Sequence, residues 1–278
     1  PLFEDDQCEA RKALTAYKAL RRKNVRIFYA GCSGAVLALA PLAKADGALI
    51  VTAYAASVDI RATGPEVVRL NPDGISEAEE IARHIRSRYP QGGLSLLYEE
   101  QDYAASLAET LVRELGPLIA VRESYPGTAT SFKSELLKIS GPDTAAVIFV
   151  PTAEAAARII LKEMAEMRLN KPLIGEVNLC DFPFSPADFG LRGSCVAARF
   201  DTPQFARFTK EYTAMNGHPP FAPFYDAMTY DLARFISDAG KDLDFSSAAG
   251  VRELQRRLLT GFDGAIASYR FTPDGEPS

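Results

Sequence analysis

The chain has 278 residues, 47% of them hydrophobic, and a formal net charge of −5 at pH 7. This length accommodates one large or two medium globular domains. The negative charge argues against nucleic acid or an anionic membrane surface as a partner, and no apolar run is long enough to cross a bilayer.

The first half of the chain predicts a strand, a tight turn, a helix and a second strand. The apolar run 27–30 is too short for a helix, and Gly31 and Gly34 bracket a sharp turn. Strong helix formers fill 35–44, and a second apolar run occupies 48–52. Such a unit has essentially one solution, a right-handed crossover between parallel strands. The turns after both strands then lie where open α/β sheets bind ligands.

Ser33 and Gly34 are the first candidate binding residues. At the start of a helix they would present a hydroxyl and bare backbone N–H groups, which suit a carboxylate or a phosphate. The alternative is that Ser33 only N-caps its helix.

The alternation of strands and helices continues along the chain. Ser76 and Glu79 have the spacing of a capping box at the start of one helix. The remaining predicted strands are 1–3, 67–70, 94–98, 119–124, 145–150, 172–175, 196–200 and 265–271, and the remaining helices are 9–22, 76–89, 103–115, 132–139, 154–167, 205–215, 224–239 and 251–259. This order predicts an α/β fold with parallel sheets.

The four cysteines occur as Cys8 with Cys32 and Cys180 with Cys195. Three pairings are possible, and the sequence does not choose among them. Sequential pairing is attractive because Cys8 and Cys32 each follow an apolar, strand-like run, and such a bridge would contribute roughly 3 kcal/mol. The alternative is four reduced, buried thiols. A zinc site is not expected, since there is no CxxC pair and both histidines stand far from the cysteines.

Catalytic signatures are not found. The sequence has no Gly-rich phosphate loop, HExxH or GxSxG motif, and its two histidines have unremarkable polar neighbours. We therefore expect neither an enzyme with catalytic residues nor a bound cofactor or metal.

An ordered set of motifs spans nearly the whole chain. These are FEDDQC at 3–8, CS at 32–33, YAAS at 54–57, LYE at 97–99 with DY at 102–103, YPGT at 125–128, YDA at 225–227 and FDG at 262–264. Together they resemble the Leu/Ile/Val-binding proteins, which are type I periplasmic solute-binding proteins of ABC transporters.

The resemblance implies two Rossmann-like lobes with parallel central sheets, joined by a multi-strand hinge. Lobe 1 would comprise 1–70 and 202–268, and lobe 2 would comprise 71–201 and 269–278. The family's usual N-terminal strand and helix are missing before Pro1. A sheet without its first strand would expose an edge, so we expect the intact protein to contain them.

The resemblance also implies a Cys8–Cys32 disulfide and a ligand site. Ser33 would donate a hydrogen bond to the ligand carboxylate, and the backbone of Tyr54, Ala55 and Ala56 would hold the carboxylate and the ammonium group. Tyr103 would contact the ligand from lobe 2. Glu176 would bind the ammonium group. Gly34, Thr152 and Phe224 complete the expected ligand-binding set.

Other roles are open for several of these residues. Tyr103 could simply pack at a helix start, and Glu176 could be an exposed loop acid, since it matches the family only with a one-residue slip. Phe224 could form an apolar wall. A Cys180–Cys195 bridge could shape a lid-like segment or serve only as a clip.

The implied function is that of an exported, periplasmic solute-binding protein. It would capture a hydrophobic, branched-chain-type amino acid by hinge closure, pass it to an ABC permease in the membrane, and act as a monomer without nucleic acid or cofactor. Ala56 stands where the family commonly has Thr. An aromatic or other small carboxylic acid is therefore an alternative ligand, and a ligand sensor for a regulatory partner is an alternative role.

Overall fold

The computed structural model describes residues 1–196 and 202–277. Its contacts divide the chain into two compact units. Unit 1 comprises Pro1–Asp73 and Phe200–Ser278, and unit 2 comprises Gly74–Arg199.

Helices and strands alternate along most of the described residues. The α-helices are α1 (Ala10–Arg22), α2 (Ser33–Asp46), α3 (Gly74–Arg88), α4 (Asp102–Leu115), α5 (Lys133–Ile139), α6 (Glu154–Glu166), α7 (Val177–Asp181), α8 (Pro203–Asn216), α9 (Pro223–Ala239) and α10 (Ala248–Leu259). The strands are β1 (Ile27–Tyr29), β2 (Leu49–Thr52), β3 (Val67–Arg69), β4 (Leu94–Glu99), β5 (Ile119–Tyr125), β6 (Ala146–Val150), β7 (Leu173–Gly175), β8 (Gly193–Cys195), β9 (Phe262–Asp263) and β10 (Ser268–Tyr269).

Unit 1 contains a parallel sheet in the order β1-β2-β3, with Phe28 opposite Ile50 and Ile50 opposite Val67. The predicted strand–helix–strand unit is therefore present. Helix α2 ends at Asp46, and its C-cap residue Gly47 has a φ of 58°, a left-handed geometry that glycine adopts without strain. Tyr17 of α1 packs on Phe28 with ring centroids 4.4 Å apart and joins the core of this unit.

Unit 2 contains a parallel sheet in the order β5-β4-β6-β7-β8. Strand β6 is buried along its whole length and β4 along nearly all of it, as expected for parallel strands covered on both faces. Alternate residues of β4 point to opposite faces: Leu94 and Leu96 pack with α3 and α4, whereas Leu97 packs with α5 and α6. The carboxyl ends of these strands meet at one edge, where ligands bind in such sheets.

Some predicted elements differ from the structure. Residues 1–3 form no strand, and Phe3 is 87% exposed. Helix α3 begins at Gly74, so Ser76 lies inside the first turn and is not its cap. Apart from Val196, which is not in a strand, the predicted strand 196–200 lies outside the described residues.

Of the predicted closing strand 265–271, only Ser268–Tyr269 is a strand, β10, and residues 265–267 form a bend that connects it to the antiparallel β9. The buried carboxylate of Asp231 causes this bend by accepting hydrogen bonds from the three successive backbone N–H groups of 265–267, at 2.6, 3.0 and 3.1 Å. Gly264 passes so close that a Cβ there would lie 2.2 Å from Asp231 Oδ2. These N–H groups are therefore unavailable for a continuous strand.

Residues 269–277 lie in unit 1, whereas the sequence analysis assigns 269–278 to lobe 2. The Arg69 backbone N–H donates to Gly275 O at 3.0 Å, and the buried Arg69 guanidinium pairs with Glu276. Gly275 has a φ of 85°, and a Cβ there would lie 2.2 Å from Val67 O. This close approach attaches the C-terminal turn to β3.

Candidate functional site

In unit 1 the turn after β1 is tied to the turn after β2 by Ser33. Its hydroxyl oxygen accepts hydrogen bonds from the backbone N–H groups of Ala56 at 3.2 Å and Ser57 at 3.1 Å. Cys32 occupies the N-cap position of α2, so Ser33 is not the N-cap that the alternative interpretation proposed. The Ala56 N–H, expected to hold a ligand, is thus engaged by Ser33, while the Ser33 hydroxyl hydrogen can still be donated.

Gly34 is the second residue of α2 and is partly exposed. The first N–H groups of a helix have no acceptor within the helix. Together with the Ser33 hydroxyl they form a donor-rich helix start, which suits an anionic group. Ala55, in the turn after β2, is buried, and its N–H donates to Thr52 Oγ1 at 3.1 Å.

Tyr54 and Phe224 meet around the buried Tyr225 at the start of α9. The Tyr54 ring stacks on Tyr225 with centroids 4.5 Å apart, and Phe224 contacts Tyr225 edge-on at 5.4 Å. The Tyr54 hydroxyl donates to Asp226 Oδ1 at 2.7 Å, and its carbonyl accepts from Asn71 Nδ2 at 3.2 Å. These contacts fix the turn after β2 against α9.

In unit 2 the structure brings Tyr103 and Glu176 together and adds Glu77, which the sequence did not suggest. Tyr103 follows β4, Glu176 follows β7, and Glu77 lies in the first turn of α3. The Tyr103 hydroxyl oxygen lies 2.7 Å from Glu77 Oε2 and 2.9 Å from Glu176 Oε2. We call these three residues the acidic triad.

Glu176 is 1% exposed, so it is not an exposed loop acid. Its carboxylate N-caps α7, accepting from the N–H groups of Asn178 at 2.8 Å and Leu179 at 3.4 Å. Burial, followed by the nearby charge of Glu77, raises the pKa of the Glu176 carboxyl well above its usual range, against these hydrogen bonds. Burial also raises the pKa of Glu77, although hydrogen bonds from Tyr103 and Val177 oppose the shift. Such acceptors could bind a cationic nitrogen.

Thr152, another predicted contact, has its backbone N–H engaged by the protein itself. The buried carboxylate of Glu99 accepts from Thr152 N at 2.9 Å and Ala153 N at 2.8 Å, at the start of α6. A Cβ at Gly127 would lie 2.2 Å from Glu99 Oε1, so this carboxylate requires glycine there. The sequence analysis does not find this role for Glu99.

The disulfide between Cys8 and Cys32 is present, with Cα atoms 5.4 Å apart. This confirms the pairing that the family resemblance implies. Cys180 lies in α7 and Cys195 ends β8, and a bridge between them stays a prediction.

Over the described ranges, no group of three or more His, Cys, Asp or Glu residues is placed to hold a metal ion. A helix both long and apolar enough to span a membrane is likewise not found in the ranges 1–196 and 202–277.

Two α/β units with parallel sheets, each carrying polar groups at a strand's carboxyl end, define the architecture of a type I periplasmic binding protein. The family model described as "Periplasmic binding protein" matches residues 2–278. The chain therefore belongs to the periplasmic binding protein family.

Solved structures support this fold. An ABC-transporter solute-binding protein of R. palustris, in complex with benzoate, is 17% identical with a TM-score of 0.80, covering 99% of this chain and 78% of its own. LivJ of Streptococcus pneumoniae, in complex with isoleucine, is 17% identical with a TM-score of 0.82, covering 99% and 80%. The leucine-binding protein LivK of Thermotoga maritima is 16% identical with a TM-score of 0.75, covering 98% and 80%. A comparison with curated protein sequences found no match.

Proposed function

We propose that the chain is the periplasmic solute-binding component of an ABC transporter and captures a hydrophobic, branched-chain-type amino acid by hinge closure. The closed form would deliver the amino acid to a membrane permease. The family and the relatives with bound isoleucine or a leucine-binding name support this class of function.

The observation that carries the proposal is the buried carboxylate of Glu176 beside the Tyr103 hydroxyl, at 2.9 Å. The ion pairs between described residues include neither Glu176 nor Glu77. A buried carboxylate is costly unless a cation or several hydrogen bonds compensate it. The ammonium group of an amino acid would supply that cation together with N–H donors.

The helix start at Ser33 and Gly34 supports the proposal because it suits the carboxylate of an amino acid. A hydroxyl hydrogen and helix N-terminal N–H groups stabilise a carboxylate. One unit thus offers donors and the other offers acceptors, which are the partners that the two charged ends of an α-amino acid require. The partly exposed ring of Phe224 adds an apolar surface in unit 1.

A benzoate-type acid is the competing ligand class, since one relative is in complex with benzoate. Such a ligand could use the donors at Ser33, but it has no ammonium group. It would leave the buried carboxylate of Glu176 without a cation. This difference favours the amino acid.

Isothermal titration calorimetry with isoleucine, phenylalanine and benzoate tests the proposal. We expect isoleucine to bind, and Glu176→Gln to weaken it by about a hundredfold, because truncating a buried charge pair costs several kcal/mol. Glu79→Gln, an exposed position of α3, is the matched control and should bind like the wild type. The proposal would be contradicted if benzoate gave heat of binding and neither amino acid did. Equal affinity for isoleucine in the wild type and the Glu176→Gln variant would also contradict it.

A further inference from the structure

The Tyr103 hydroxyl has one hydrogen but two carboxylate neighbours. Its oxygen lies 2.7 Å from Glu77 Oε2 and 2.9 Å from Glu176 Oε2, and both distances are those of hydrogen bonds. The tyrosine can donate to only one of them. The other contact is a hydrogen bond only if that carboxyl group carries a proton and donates it to the tyrosine oxygen. The geometry therefore accommodates one additional proton.

None of the other described groups that face Glu77 and Glu176 supplies a positive charge in place of this proton. Glu77 Oε1 accepts from Val177 N at 3.3 Å, and Glu176 accepts from the first N–H groups of α7. Tyr125 of β5 also faces Glu176, and burial and the charge of Glu99 raise its pKa well above the usual value, so it stays neutral. The raised pKa values of Glu77 and Glu176 agree with a retained proton.

We propose that Glu77 is a second ligand-sensing carboxylate, that it shares one proton with Glu176 in the unliganded protein, and that a cationic ligand nitrogen displaces this proton. The identity of the ligand rests on the proposed function, whereas the shared proton rests on the geometry of the acidic triad. The proton leaves for solvent as the ammonium group arrives, so charge in the triad is balanced before and after binding. A ligand without a cationic nitrogen could not make this exchange.

The competing explanation is that Glu77 only stabilises the start of α3. An acidic residue in the first turn favours a helix through its dipole. In that case Glu77 would be ionised at neutral pH, and ligand binding would release no proton.

Carbon-13 NMR of glutamate carboxyl groups tests the shared proton without any ligand. Glu77→Gln and Glu176→Gln assign the two resonances, and Glu79→Gln is the control on the same helix. We expect the pair to titrate in two coupled steps, one well above the ordinary range, and the pKa of Glu176 to fall in the Glu77→Gln variant. Independent titration of both groups in the ordinary range would overturn the proposal.

Tyr103→Phe provides a second variant that keeps both carboxyl groups. In the singly protonated pair the hydroxyl donates to one carboxylate and accepts from the other carboxyl group, whereas in the fully ionised pair it can donate to only one. Its removal should therefore lower the upper pKa of the pair. Unchanged titration of both carboxyl groups would contradict the arrangement.

Calorimetry with isoleucine in buffers of different ionisation enthalpy then tests the exchange. We expect release of about one proton, and an affinity that rises about tenfold per pH unit below the upper pKa of the pair. Glu77→Gln should show this pH dependence only at lower pH, because removing the charge of Glu77 lowers the pKa of Glu176, which burial still raises.

The outcomes separate the two proposals. Binding of isoleucine without proton release, with the same pH slope in Glu77→Gln, would overturn the role of Glu77 and leave the proposed function intact. No binding of isoleucine would overturn the proposed function and the ligand exchange, and the NMR titration would still decide whether the two carboxyl groups share a proton.

Discussion

Two carboxylates, Asp231 in unit 1 and Glu176 in unit 2, are each 1% exposed but have different surroundings. Asp231 accepts hydrogen bonds from the three backbone N–H groups of 265–267 and from the Tyr269 hydroxyl at 3.2 Å. Glu176 has two backbone donors and one hydroxyl, and that hydroxyl also contacts the carboxylate of Glu77. Asp231 is fully used by the fold, whereas Glu176 retains the capacity to bind a cation.

Asp231→Asn should give the largest effect of the variants that test this contrast. An amide nitrogen would face backbone N–H donors, and at least one of these donors would lose its acceptor. We expect the free energy of unfolding to fall by about 2–4 kcal/mol. Urea unfolding measures it, with Asp238→Asn, an exposed residue of α9, as the control. A loss below that of the control would mean that Asp231 does not hold the bend.

Glu176→Gln should have a smaller effect on stability at neutral pH. Removing one of two facing carboxyl groups relieves repulsion but weakens the N-cap of α7, so we expect a change within about 1 kcal/mol. The same urea experiment measures it. A loss as large as that of Asp231→Asn would show that Glu176 is a structural carboxylate.

The stability of the unliganded protein should depend on pH through the acidic triad. The folded-state pKa values of Glu77 and Glu176 are raised above 4.5, so their contribution is present below that pH and is lost as pH rises through the folded values. As the pH rises from 4.5 through the folded-state pKa values, the Tm of the wild type should fall relative to that of the Glu77→Gln variant. A parallel pH profile in both proteins would contradict the raised pKa values.

Tyr54→Phe should give the smallest effect. It removes one hydrogen bond to Asp226 and keeps the stacking on Tyr225. We expect a loss of about 0.5–1.5 kcal/mol in the free energy of unfolding. Urea unfolding with Tyr230→Phe, on the exposed side of α9, as the control would check this value, and a loss of several kcal/mol would indicate a larger role for Tyr54.

The elements with local signals could be predicted from the sequence. Short apolar runs such as β4 and β6 are typical of strands buried on both faces, and Gly47 marks the end of α2. The bend at 265–267 has no local signal, because it depends on Asp231, more than thirty residues away. A helix start is also weakly determined by sequence, which explains the two-residue difference at α3.

The candidate site was partly predictable for the same reason. Tyr103 and Glu176 each follow a predicted strand and stand at positions that match the Leu/Ile/Val-binding proteins. The family resemblance is therefore sufficient to suggest them. Glu77 lies between Ser76 and Glu79, whose spacing indicates a capping box instead. It is an acidic residue in the first turn of α3, but Glu176, the carboxylate that it faces, lies 99 positions later in the chain.

The most direct test of a site for a cationic nitrogen compares two ligands that differ only in that group. Isoleucine and 3-methylpentanoate share their carboxylate and branched side chain, but only isoleucine has an ammonium group. Calorimetry with the wild-type protein should show isoleucine binding at least about a hundredfold more tightly, because only its ammonium can pair with Glu176. Equal affinity for the two ligands, or tighter binding of 3-methylpentanoate, would contradict the account.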